Sequence, residues 1–273
     1  MNQLGIDKRA QIVRALVEGC SIRSTVRITG ASKNTISKLL LELGAACANY
    51  LDTHLVNLKS ERIQCDEIWQ FVGAKAKNVP AERRDEFGIG DVWTWIAIDA
   101  DSKLICSWLL GKRDPGCATE FIQDLAGRLA NRVQMTTDGL KIYLNAVRDG
   151  FGEDIDYAML VKVYGNDPNA EKRYSPAVCT SCEKKAVIGD PDPKHISTSY
   201  IERQNLTMRM GMRRFTRLTN AFSKKLENHI AAIAIHIMYY NFVRIHQTLR
   251  VTPAMAAGVT DRLWEIEDLI ALL

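Results

Sequence analysis

The sequence predicts an α/β protein in which a small all-helical head leads into a mixed sheet flanked by helices. Three observations carry that expectation. Apolar residues recur at helical spacing through the first 58 positions, the pattern switches to extended, β-rich runs at residue 61, and helices alternate with strands from Cys117 onward. The chain has 273 residues, 47% hydrophobic and 25% charged, a composition that supports a buried core and excludes disordered and coiled-coil classes.

In the head, Ala10, Val13, Leu16 and Val17 share one helical face, and Gly19 stops that helix. Ser21 caps a second short helix bearing Ile22, Val26 and Ile28. Gly30-Ala31 forms a tight turn, and Ser32 caps a third helix with Ile36, Leu39, Leu40 and Leu43 on its apolar side. Three helices with a glycine turn between the last two make a helix-turn-helix domain, expected over residues 1–58. Lys33, Asn34, Thr35 and Lys38, at the start of the third helix, are then the side chains that face the major groove of DNA.

Residues 63–72, 92–99 and 104–110 read as three strands, the last two joined by a turn beginning Ala100-Asp101-Ser102. A helix over 117–130 follows, then a short strand over 133–137, a turn at Asp138-Gly139, a helix through Tyr143, Ala146 and Val147, and a fifth strand near 157–163. Three strands, helix, strand, helix, strand is the order of an RNase H-like mixed sheet. The expected catalytic domain spans 61–260. Four of the seven prolines lie between 168 and 193, so residues 165–198 are expected to be a long exposed loop within it. Helical character returns near Ser199 and continues, with breaks, through an apolar helix over 221–243. A short helix near 253–257 and a C-terminal helix within 261–273 complete the chain.

The net charge of +4 conceals an uneven distribution. Residues 1–60 carry +4, 61–202 carry −5, 203–225 carry +7 with no acidic residue, and 226–273 carry −2. A basic head, an acidic middle and a basic stripe suit a protein that holds a polyanion and concentrates carboxylates for chemistry. Cys20, Cys47, Cys65, Cys106, Cys117, Cys179 and Cys182 are odd in number and scattered, which points to a reduced, cytosolic setting. The N-terminus is polar and charged, unlike a signal peptide. The most apolar stretch, 230–240, is interrupted by His236 and too short to span a bilayer, so no membrane partner is expected.

Three acidic residues stand out by context. Asp66 lies inside the otherwise apolar first strand, Asp138 ends the fourth strand, and Glu202 opens a helix. In an RNase H-like sheet the first and fourth strands are neighbours, so Asp66 and Asp138 converge, and a following helix can lay a carboxylate beside them. Glu67 is an alternative to Asp66, because adjacent strand residues point to opposite faces. Crowded carboxylates repel one another, and hard oxygen ligands of this kind suit Mg²⁺ or Mn²⁺. Two such ions, roughly 3.5–4 Å apart, serve in-line phosphodiester displacement.

The wording of four segments adds to this. Gln64-Cys65-Asp66-Glu67-Ile68-Trp69, Thr136-Thr137-Asp138-Gly139, Tyr200-Ile201-Glu202-Arg203-Gln204-Asn205 and Tyr240-Asn241-Phe242-Val243-Arg244-Ile245-His246-Gln247-Thr248-Leu249, the last followed by Thr252-Pro253-Ala254, resemble the bacterial insertion-sequence transposases of the insertion sequence 1 family. The resemblance runs through residues 61–260. It implies a DDE transposase with an RNase H-like catalytic domain, in which Asp66, Asp138 and Glu202 form the metal-binding triad and Asp66, not Glu67, is its first member. It also places Arg209 near the reacting DNA end. Two departures stand out: the interval from Asp138 to Glu202 is longer than in compact versions of the family, and the head lacks the clustered cysteines of a zinc ribbon.

The acid-free stripe of Arg203, Arg209, Arg213, Arg214, Arg217, Lys224 and Lys225 follows Glu202 and is expected to contact phosphates. Arg244 and His246 either buttress the active site or touch DNA. Cys179 and Cys182 read as incidental loop thiols, Asp99 and Asp101 as turn formers, Trp93 and Trp95 as core residues on one sheet face, and His236 as a satisfied core histidine. The expected protein is a DNA transposase that hydrolyses the phosphodiester at element ends and transfers the 3′-hydroxyl strand into target DNA, as an oligomer that holds two ends. A structure-specific nuclease without strand transfer and a non-enzymatic helix-turn-helix regulator are the rival expectations.

Overall fold

The computed structural model describes residues 4–84, 86–165, 178–216 and 221–273. The head begins as the apolar spacing predicts, with α1 (Ile6–Val17), α2 (Ile22–Thr29) and α3 (Lys33–His54). The Ser21 hydroxyl accepts the Ser24 N–H, and the Ser32 hydroxyl accepts the Thr35 N–H. Gly30 ends α2 at φ 71°, a conformation that costs a glycine little.

The third helix runs for 22 residues, because its apolar stripe continues through Cys47 and Leu51. That stripe packs against α7 (Leu226–Met238) from the C-terminal half. The contact is close at Gly44, where an added Cβ would lie 2.4 Å from the Ala231 Cβ. At the chain's other end, α9 (Ile266–Ile270) packs on α1, and Arg14 pairs with Glu267 at 2.5 Å. A single hydrophobic cluster therefore runs from Ala10 through the sheet to Ile270. The head expected over 1–58 shares its core with the body, and the C-terminal helix expected within 261–273 is part of that shared packing.

Six strands among the described residues form one sheet in the order β3-β2-β1-β4-β5-β6: β1 (Arg62–Val72), β2 (Gly90–Asp99), β3 (Ile105–Gly111), β4 (Gln134–Asp138), β5 (Asp156–Gly165) and β6 (Val178–Ile188). β1 is antiparallel to β2 and parallel to β4, and β4 is parallel to β5. This is the expected RNase H-like order. The helices α4 (Pro115–Arg128) and α5 (Tyr143–Phe151) cover one face, where Trp95, Phe121 and Tyr143 pack ring against ring.

β6 corrects the sequence reading. Residues 165–198 were expected to be loop throughout, yet 178–188 form an edge strand antiparallel to β5. Its residues from Cys179 to Ala186 are all exposed, so the strand shows no buried alternation, and prolines on either side in sequence read as punctuation. Lys184 and Lys185 give the edge the charge that discourages pairing with another chain. The helix expected over 221–243 begins at Leu226 as α7 and ends in a π-helical turn, Tyr239–Val243. α6 (Ser199–Gly211) crosses the sheet face opposite α5, and α8 (Pro253–Ala256) follows the tail motif. No helix among the described residues is long and apolar enough to cross a membrane.

Candidate active site

β1 supplies the centre of the site. Its even-numbered residues face α6: the Gln64 Oε1 accepts the N–H groups of Tyr200 and Ile201 at 2.9 and 3.1 Å, and the Asp66 Oδ2 accepts the Asn205 Nδ2–H at 2.8 Å. The buried Gln64 thus satisfies free N–H groups at the start of α6 and fixes that helix over β1. Asp66 also takes the Glu67 backbone N–H on Oδ1 at 2.8 Å.

β4 ends beside it. Cys65 pairs with Thr137, so Asp138, the last residue of β4 and still paired with Leu160 of β5, parts from β1 next to Asp66 and caps its own turn by accepting the Leu140 N–H at 2.9 Å. The carboxylates of Asp66, Asp138 and Glu67 come within 4.8 Å of one another. Glu67 points to the α5 face and is wholly buried. Burial pushes its carboxyl up, and its bonded partner is Arg113. Arg113 spans the cluster, with Nε 3.1 Å from the Glu67 Oε2 and Nη2 4.0 Å from the Asp138 Oδ2, and its guanidinium lies 4.8 Å from the Trp93 ring centre. Burial, then repulsion from Glu67 and Asp138, raises the Asp66 carboxyl to about 7, and Glu202 adds to the effect.

Glu202 stands in the first turn of α6 and its charge reaches Asp66, but its carboxylate is held by its own partners. The Thr198 hydroxyl donates to it at 2.5 Å, and Lys162 of β5 pairs with it. Asp66 and Asp138 are therefore together as the sequence predicts, with Glu67 as a third close carboxylate and Glu202 beside them.

Sequence reasoning missed Arg113, Asn205, Lys162 and Tyr143. Asn205 carried a signal, since it falls one helical turn after Glu202 on the same face. Arg113 and Lys162 carried none, because strand order alone brings the ends of β3 and β5 to the site.

The expected DNA contacts are variously placed. Lys33 and Asn34 are exposed at the start of α3, Thr35 hydrogen-bonds the capping Ser32, and Lys38 pairs with Glu42 at 3.6 Å. Arg203, Arg213, Lys224 and Lys225 are exposed, with Lys225 3.5 Å from Glu227. Arg209 donates to the Phe215 carbonyl at 3.1 Å. Arg214 is drawn inward to the Ser223 hydroxyl, which also meets the buried His229. Arg217 lies outside the described residues. Arg244 is exposed and His246 half-buried in the tail after α7. The same tail carries Asn241, which is buried and makes a paired bond to the Ile105 N–H and C=O, tying the turn to β3.

Asp99 is a turn former, accepting the N–H groups of Asp101 and Ser102, while Asp101 pairs with Arg62. Trp95 is core, but Trp93 is only half-buried and carries Arg113. His236 is buried yet neither ring nitrogen finds a partner, so burial pushes it down to about 4. Cys179 and Cys182 sit on a strand, with sulfurs 3.6 Å apart and no third metal-ligating side chain beside them among the described residues.

Fold and site define an RNase H-like sheet with an acidic cluster where β1 and β4 part. No family model and no curated protein matches the chain. Among solved structures it is similar to a piggyBac transposase in a synaptic complex with hairpin DNA, with a TM-score of 0.43 and 11% identity, over 99% of this chain and 70% of that one.

Proposed function

We propose that the protein is a metal-dependent DNA transposase of the DDE kind, related to the insertion sequence 1 family, with Asp66, Asp138 and Glu202 as its catalytic carboxylates. The observation that carries this reading is the convergence of Asp66, inside β1, with Asp138, at the end of the parallel neighbour β4, with a carboxylate-bearing helix fixed over β1 by Gln64.

The residues fit a divalent ion. All the donors are hard carboxylate oxygens, and Asp66 is raised to about 7 first by burial and then by repulsion from Glu67 and Asp138, which a cation would relieve. Asp66, Asp138 and Glu202 would hold Mg²⁺ or Mn²⁺, which when bound supplies Lewis-acid polarisation of the phosphodiester and a lower pKa for the attacking oxygen. The chain's own groups orient this centre. Asn205 fixes one Asp66 oxygen, the Leu140 N–H fixes one Asp138 oxygen, and Lys162 and Thr198 hold Glu202 within electrostatic reach. Arg113 balances the charge of Glu67 and Asp138, which keeps Glu67 tied to the scaffold.

In this reading the start of α3, with Lys33, Asn34, Thr35 and Lys38, recognises element ends, and the basic residues of 203–225 line the approach. Two ends held together call for at least a dimer on DNA. A joining assay with Mg²⁺ and a duplex carrying the inverted repeats that flank the coding region tests the proposal. Wild type is expected to join strands, and Asp66→Asn, Asp138→Asn and Glu202→Gln each to lose joining by about a hundredfold or more. Retention of joining by all three overturns the site assignment, and cleavage without joining favours a nuclease.

A further inference from the structure

The face of α6 turned away from Glu202 closes a second, different site. Glu202 and Asn205 lie on one side of this helix, whereas Tyr200, Arg203, Gln204 and Thr207 follow the i, i+3/i+4, i+7 spacing of the other. That second side, the β2–β3 turn and the tail after α7 enclose a cleft of about 340 Å³. No carboxylate is among its described lining residues, and three cations are: Lys103, Arg203 and Arg244. Neither arginine meets a carboxylate among the described residues. Lys103 is anchored by the carbonyls of Ala100 and Asp101 and sits 3.8 Å from the Tyr200 ring centre.

Two buried polar atoms at this cleft have no partner. Gln204 is 2% exposed, and its Nε2 finds no acceptor; the Nδ1 of His246 is likewise orphaned. Buried donors are rarely left unmet in folded proteins, so an orphaned amide lining a cation-walled cleft marks a missing acceptor. Burial, and then the nearby charges of Lys103 and Arg244, lower the His246 pKa.

We propose that this cleft is a phosphate site that binds one nucleotide unit of a DNA strand, separate from the acidic cluster, with Arg203 and Arg244 on the phosphate and the Gln204 amide donating to the nucleotide. The assignment of the ligand to DNA rests on the function proposed above; the cations and the orphaned amide do not. Because α6 separates the cleft from the carboxylates, the bound unit is not the reacting phosphodiester itself. The cleft would hold the strand in register while the acidic cluster acts on it.

The test is fluorescence anisotropy of the full chain with a labelled single-stranded thymidine oligonucleotide in EDTA, over a series of salt concentrations. Arg244→Gln and Gln204→Leu are each expected to weaken binding about tenfold. Arg244→Gln should also reduce the salt slope by about one, and Arg148→Gln, an exposed charge on α5, should change nothing. Arg203→Gln serves if Gln204→Leu does not fold. Unchanged affinity and salt slope in the cleft variants overturn the site. Displacement by thymidine 5′-monophosphate at lower concentration than inorganic phosphate supports the nucleotide assignment, and equal displacement by the two overturns it. Cleft-dependent binding without metal-dependent joining leaves the cleft standing and removes the transposase reading. Joining that is intact in wild type and in every cleft variant removes the cleft alone.

Discussion

Replacing Asp66 by asparagine is expected to flatten the pH dependence of stability in the metal-free protein. In the folded chain this carboxyl titrates at about 7, against an ordinary value of 3.8. The folded state therefore holds a proton that the unfolded state has already released. Its stabilising effect is complete below the unfolded value and is lost as pH rises through about 7. The shift corresponds to about 4 kcal/mol in all, of which about 3 kcal/mol lies between pH 5 and pH 8. In Asp66→Asn that contribution is absent, and the Asn side-chain oxygen can still accept the Glu67 N–H. Urea unfolding in EDTA at pH 5 and pH 8 measures the effect: the stability of wild type relative to the variant should fall by about 3 kcal/mol between the two. Mn²⁺ at a hundredfold excess over its Kd should restore about 2.7 kcal/mol to wild type at pH 8 and much less to the variant. Parallel pH profiles for wild type and variant would refute the argument that repulsion and burial hold Asp66 near neutrality.

Other outcomes follow from the packing. Gly44→Ala places a Cβ 2.4 Å from that of Ala231, and thermal melts should show a loss of about 1–3 kcal/mol that unfolds head and body together. Asn241→Ala leaves the Ile105 N–H and C=O without partners and should cost about 2–4 kcal/mol in chemical denaturation. If the start of α3 contacts DNA, Lys33→Ala should weaken end binding in gel-shift titrations and lower the salt slope by about one, whereas Asn34→Ala should reduce discrimination between end and unrelated duplex.

Much of this architecture is legible in the sequence, and the exceptions share a cause. The caps at Ser21 and Ser32 are local, and so is the turn after Asp138; each is set by residues within four positions. Asp66 is conspicuous because a carboxylate inside an apolar strand needs a reason. Edge strand β6 is hidden because exposure on both faces erases the alternation that marks a strand. The shared core is hidden because the stripe through Leu43, Cys47 and Leu51 does not say what it packs against, and α7 lies almost 200 residues away. Arg113 and Lys162 become part of the site only through strand order, as does the pairing that holds Glu202. Arg214 reads as one more cation in a basic stripe, and only packing shows that it bonds Ser223 beneath the surface.

The central claim is that Asp66 and Asp138, with Glu202, form a divalent-metal centre at the point where β1 and β4 part. Electron paramagnetic resonance of Mn²⁺ titrated into the metal-free chain at pH 8 tests it most directly. Wild type should take up Mn²⁺ at a site lost in both Asp66→Asn and Asp138→Asn and weakened in Glu202→Gln. Equal uptake by wild type and both aspartate variants would contradict the account.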